Sequence, residues 1–247
     1  MDLGLTGRRV LITGGSKGIG AACARVFLEE GCAVVLAARG ADTLAAAAAE
    51  LSGLGPVETW AGDLAQGAER ERLFTDVGAV DILVNNAGAI PGGGLLDISM
   101  AQWEEAWALK VMGYIHLTRL YLGAMRDAGG GTIVNIIGSA GRNPRYAYLC
   151  GGTGNAALMA FTGAVGGKSP DFGVRVFGLN PSGTLTDRLV ALAERSGTAI
   201  EDMAASAPFG RLAEPAEVAR TAAFLASPAC GYVSGTVLDI DGGGGSR

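Results

Sequence analysis

Thr13-Gly-Gly-Ser-Lys-Gly-Ile-Gly20 constrains this chain more than any other stretch. The apolar run Val10-Leu-Ile12 precedes it, and Ala21-Ala-Cys-Ala-Arg-Val-Phe-Leu28 follows with an apolar spacing that suits a helix. Glycines at 14, 18 and 20 let the backbone turn tightly and approach a pyrophosphate, which then rests on amides at the positive end of the helix. Gly14, Ser16, Lys17, Gly18, Ile19 and Gly20 are therefore candidate dinucleotide contacts. With 41 glycines in 247 residues, a glycine cluster alone carries little weight. The strand before it and the helix after it give it meaning, against the alternative of a tight structural turn.

The same alternation continues along the chain. Strand-like runs occur at Val34–Ala37, Val57–Trp60, Asp81–Val84, Thr132–Ile137, Val174–Leu179 and Thr236–Ile240. Between them lie helical patterns at Asp42–Leu51, Ala65–Val77, Met100–Met125, Tyr148–Val165, Leu185–Met203 and Ala216–Leu225. Repeated strand–helix units predict an α/β fold: a Rossmann-type, doubly wound parallel sheet of about seven strands with helices on both faces. No long linker interrupts the pattern, so residues 1–247 read as one domain. High aliphatic content with only 6% aromatic residues fits buried parallel strands.

Charge and composition exclude several functions. A net charge of -5 gives no footprint for nucleic acid, and no basic run marks a membrane surface. The first residues lack a leader pattern and no apolar run reaches spanning length. Cys23, Cys32, Cys150 and Cys230 have no metal-ligand spacing, and His116 is the only histidine. Free thiols in a reducing cytoplasm, and no metal, are the expectation.

Thr13 to Gly20, Asn85 to Gly88, Asn180-Pro181 with Thr186, and Tyr232 to Gly235 through Asp241 to Gly243 occur in one order. In that order they resemble the short-chain dehydrogenase/reductase family over almost the whole chain. The resemblance implies a seven-stranded Rossmann-type sheet, a nicotinamide cofactor, a small-molecule substrate and a homotetramer or dimer built on the two long helices. It places Asp63 and Leu64 beside the adenine, and Asn86, Ala87 and Gly88 on the adenosine side. Pro181 and Thr186 fall near the nicotinamide carboxamide. Asn85 and Asn86 also fit a purely structural role, tying strand ends together.

Cofactor choice follows from charge. Enzymes using NAD place an acid after the second strand to accept the ribose hydroxyls. Here that strand ends Ala37-Ala38-Arg39, and Lys17 lies within the glycine turn. Two cations there suit a 2′-phosphate, so NADP(H) is the expected cofactor. Two solvated surface cations are the alternative.

The catalytic segment departs from the family. Typical members carry a serine at the end of the fifth strand, a tyrosine 13 residues later and a lysine four beyond it. Anchored on Ile133 to Ile136 and Gly141 before, and on Ala156-Ala157 and Phe161-Thr162 after, those positions hold Gly138, Gly151 and Asn155. The family's asparagine in the preceding helix falls on Lys110. Asn155 is assigned to the cofactor side, and ordinary family substrates are expected to react poorly. Tyr148 lies about 60° from the face of Gly151 on a helix, so its phenol either leans across that empty position or packs in an entry loop. Ser139 is a weaker candidate, one residue out of phase, and Cys150 either faces the cleft or packs as an inert thiol.

Lys110 stands out without any family argument. Trp103, Trp107, Lys110, Tyr114, Leu117 and Tyr121 share one helix face, and the ammonium is the exception among them. A buried lysine either finds a partner or loses its charge, and such groups act as bases, proton donors or nucleophiles. Its alternative is to pack its stem and snorkel to water. Two function classes stay open. One is an NADP-dependent oxidoreductase, or a redox-neutral enzyme, with a proton relay rebuilt around Lys110 and Tyr148. The other is a catalytically silent nucleotide-binding or partner subunit.

Overall fold

The computed structural model describes residues 1–246. Seven strands form one parallel sheet in the order β3-β2-β1-β4-β5-β6-β7. They are β1 (Arg9–Thr13), β2 (Ala33–Ala38), β3 (Val57–Ala61), β4 (Ile82–Asn85), β5 (Gly131–Ile136), β6 (Val174–Pro181) and β7 (Val237–Ile240). The helices are α1 (Gly18–Glu29), α2 (Ala41–Leu51), α3 (Gly67–Val77), α4 (Met100–Asp127), α5 (Leu149–Lys168), α6 (Asp187–Ser196), α7 (Ile200–Ser206) and α8 (Pro215–Ala226). The expected doubly wound architecture is what forms.

Alternation within the apolar runs divides the core. Val10, Ile12, Val34, Leu36, Val84, Val134 and Phe177 pack on one face with residues of α1 and α8. Leu11, Val35, Leu83, Ile133 and Val176 pack on the other with Leu73 of α3 and Leu117, Tyr121 and Met125 of α4. Burial on both faces leaves the central strands β1, β2 and β4 almost no polar side, which explains their apolar runs, whereas the edge strands β3 and β7 are partly exposed. Emptying such a site, for example by truncating the fully buried Leu83, costs on the order of 2–5 kcal/mol.

Several boundaries differ from the sequence reading for local reasons. Helix α3 begins at Gly67 rather than Ala65, because the Asp63 carboxylate accepts the Ala65 N–H (3.2 Å) and holds a turn there. Helix α5 begins at Leu149, with Tyr148 as its N-cap residue in a non-helical conformation. The stretch 185–203 is two helices, since Gly197 adopts a left-handed conformation that ends α6. Helix α4 starts on a capping box formed by Ser99 and Gln102, which sets the phase of its buried face.

The sheet order reverses direction between β1 and β4. Loops leaving the carboxyl ends of these strands therefore diverge and open a crevice, the place where such sheets bind ligands.

Candidate active site

The two loops bordering the crevice are tied together. Thr13 Oγ1 accepts the N–H groups of Asn86 (2.9 Å) and Ala87 (3.1 Å). The Asn86 amide donates to the carbonyls of Thr13 (3.0 Å) and Gly14 (3.1 Å). Asn85 donates to Asn135 and Thr118 in the buried layer beneath. Both asparagines thus do tie strand ends together.

The glycine turn is tight for a visible reason. Gly14 has φ +65°, and a Cβ on Gly20 would lie 2.2 Å from the Gly14 carbonyl oxygen. No side chain caps α1, so the first-turn amides face the crevice without a side-chain partner. Thr186 comes over from the start of α6: its methyl lies 3.2 Å from where a Cβ on Gly18 would be, and its hydroxyl accepts the Leu189 N–H. Pro181 ends β6, paired with Ile240. Asp63 is engaged in its own turn, and the Leu64 side chain is buried against Trp60 and Leu73. Lys17 and Arg39 are exposed, and neither side chain has a hydrogen bond or ion pair among the described residues.

Deeper in the crevice, two glycines have their missing side chains replaced by neighbours. Gly138, just after β5, has φ +134°, and the Asn155 amide nitrogen lies 2.8 Å from where its Cβ would be. Asn155 is buried, and its Oδ1 has no hydrogen-bond partner among the described residues. Gly151 shows the same substitution of volume. The Tyr148 ring lies 2.1–2.2 Å from its would-be Cβ, and the phenol oxygen 2.7 Å. Of the two positions open to Tyr148, the structure shows it leaning across Gly151, even though the helix starts one residue later. Its ring also packs with Ile90, Ile98, Ala106 and Cys150. Tyr146 is the one that stays exposed.

Lys110 does not snorkel. The residue is 7% exposed, and Nζ donates to Tyr114 Oη (2.8 Å) and to the Ile136 carbonyl (2.6 Å). Tyr114 itself donates to the same carbonyl (2.9 Å). The expected link from Lys110 to Tyr148 is not formed; the partners are one turn along α4 and at the end of β5. Burial, helped by the nearby Arg188, pulls the Lys110 ammonium down to about 7. Burial drives the Tyr114 phenol well above its usual value, so it stays a proton donor. Two N–H groups of Lys110 are thus occupied at neutral pH, and a third site on nitrogen carries either a proton or a lone pair.

Arg188, on α6, reaches back 100 residues to donate to the carbonyls of Gly88 and Ile90, both at 3.0 Å. Gly88 lies between the two cations, since a Cβ there would meet Lys110 Cδ at 2.9 Å. Ser139 begins a short turn and makes no side-chain hydrogen bond among the described residues. Cys150 is fully buried and burial raises its thiol, so the packed, inert reading holds and the cleft-facing one falls. His116 accepts from Arg70 (3.0 Å) at the far side of α4. Among the described residues no His, Cys, Asp and Glu cluster could hold a metal, and no helix is long and apolar enough to cross a membrane.

The description "short chain dehydrogenase" matches residues 8–196. The chain belongs to that family. It is 32% identical over 250 residues to the 7alpha-hydroxysteroid dehydrogenase of Escherichia coli, covering 98% of this chain and 96% of that one. It is 33% identical over 238 residues to the acetoacetyl-CoA reductase of Rhizobium meliloti, covering 96% and 98%. The L-sorbose reductase of Gluconobacter frateurii, solved with NADPH and L-sorbose, superposes with a TM-score of 0.90 at 32% identity, covering 98% of each chain.

Sequence reasoning missed Arg188 and the Ile136 carbonyl. Tyr114 was visible as the residue four beyond Lys110. Arg188 left no signal, because its role depends on how α6 folds over the crevice.

Proposed function

We propose that this chain is an NADP(H)-dependent oxidoreductase acting on the carbonyl or hydroxyl group of a small molecule, with Tyr148 in place of the family's tyrosine and Lys110 in place of its lysine. The observation that carries this reading is the Tyr148 phenol lying across Gly151. In this reading the phenol serves as the proton donor in the region from which the family's side chain would rise.

The residues present fit a dinucleotide. The uncapped α1 terminus and the Gly14–Gly20 turn suit a pyrophosphate. The free cations Lys17 and Arg39 suit a 2′-phosphate. Asn155, buried against Gly138, stays on the cofactor side in this reading. When bound, the nicotinamide supplies or accepts the hydride.

The chain's own part is proton handling and charge. Tyr148 gives a proton to the substrate oxygen in reduction and takes it back in oxidation. Lys110, fixed by Tyr114 and Ile136, presents a positive charge that is full well below pH 7, about half present at pH 7 and lost above it. Its field favours negative charge developing nearby. Thr186 and Arg188 hold the start of α6 against Gly18 and Gly88 at the crevice. The fully packed crevice floor argues against a silent subunit, because a lysine buried without a counter-ion is costly to keep. Assembly as a homo-oligomer through the long helices and a cytoplasmic location belong to the same reading.

The test is Tyr148→Phe. NADPH affinity should stay within about twofold while turnover falls roughly 10²–10⁴-fold, the range of general acid–base help. Unchanged turnover would move the proton donor elsewhere.

A further inference from the structure

Two cations flank the Gly88 backbone, and no acid answers either. Lys110 lies against one side of Gly88, and the Arg188 guanidinium is bonded to its carbonyl. Among the described residues no Asp or Glu makes a hydrogen bond or ion pair with Lys110 or Arg188. Most other arginines among the described residues have either a carboxylate or a cluster of carbonyls; Arg175, for instance, serves five acceptors. Like charges repel, and no carboxylate offsets them here: Lys110 is buried, whereas Arg188 is exposed to solvent. A fold that keeps such a pair uncompensated leaves an electrostatic vacancy for an anion.

The partners of Arg188 differ from the groups assigned to the dinucleotide's phosphates, although its near neighbour Thr186 lies against Gly18 of the pyrophosphate cradle. The pyrophosphate cradle is at Gly14–Gly20 and the 2′-phosphate cations are Lys17 and Arg39, whereas Arg188 lies at Gly88–Ile90, after β4. Arg188 is exposed and uses one N–H from each terminal nitrogen, which leaves further N–H groups in a planar fork. A planar carboxylate matches that fork.

We infer that the substrate is an anionic carbonyl or hydroxy compound, an oxo acid or its hydroxy acid, whose carboxylate binds Arg188 at the Gly88–Ile90 loop within the field of Lys110. This rests on the oxidoreductase reading for the reacting group, but the anion site itself does not. Arg188 is then the residue that selects acids over neutral analogues.

The probes are 2-oxobutanoate, 3-oxobutanoate and 4-oxopentanoate with their methyl esters, measured for NADPH oxidation and, by calorimetry with and without NADPH, for binding. The wild type should favour at least one acid over its ester by roughly tenfold or more, the scale of one charge-assisted hydrogen bond. Arg188→Met should bring that ratio near one, and Arg188→Lys should restore part of it. A merely structural loss of the α6 latch would weaken acid and ester alike, leaving the ratio unmoved, and would overturn the inference. Turnover without any preference for acids also overturns it while the oxidoreductase reading stands. Arg188-dependent binding of acids without turnover upholds the anion site and removes the oxidoreductase. No binding of any acid overturns it outright.

Discussion

Replacing Lys110 by Met keeps most of the stem's volume and removes only the ammonium. Tyr114 retains its own hydrogen bond to the Ile136 carbonyl, so no buried hydroxyl is orphaned and the fold should survive. The informative quantity is how the stability difference between the two proteins changes with pH. In the folded chain Lys110 loses its proton near pH 7, but in the unfolded chain near its usual value of 10.5. Between those values the unfolded state binds more protons, so wild-type stability rises with pH. Below pH 7 the cost of the buried charge is fully present; it is relieved as pH climbs through the folded value. One proton is worth about 1.4 kcal/mol per pH unit. Integrated from pH 7 to 9, with half the folded protons already gone at pH 7, the wild type should gain about 2 kcal/mol relative to Lys110→Met. Urea unfolding at matched protein concentration across that range measures it, and the other titrating groups cancel in the difference. A flat difference would refute the reasoning, since it would mean that the ammonium is solvated in the native state.

The remaining predictions concern the cofactor and the crevice floor. Arg39→Asp exchanges a phosphate partner for a ribose-hydroxyl acceptor, so calorimetry should show the preference for NADPH over NADH narrowed or reversed; equal affinities in the wild type would remove the 2′-phosphate assignment. Gly151→Ala drives a methyl into the Tyr148 ring and should destabilise by about 1–3 kcal/mol. In a Tyr148→Ala background the same change should be neutral or stabilising, because alanine favours the helix, and an additive double-mutant cycle would contradict the observed overlap.

Much of the fold could be read directly because the central strands are buried on both faces and the first turn carries glycine. Val10-Leu-Ile12 followed by Gly14, Gly18 and Gly20 is a local signal, and local signals survive without tertiary context. The stripe of Trp103, Trp107, Lys110 and Tyr114 was likewise legible, since helical spacing alone puts those side chains on one face. What the sequence left open were choices between two placements of one side chain. Whether Lys110 reached water or a carbonyl depended on Ile136, which the sheet brings to α4 across 26 residues. Whether Tyr148 filled the gap at Gly151 depended on the backbone angles of one residue before a helix. Asn155 taking the space over Gly138 and Arg188 closing on Gly88 are contacts between segments whose separation is set by packing, and no pattern along the chain encodes them. Periodicity reports which face a residue occupies; only the folded neighbours decide what that face meets.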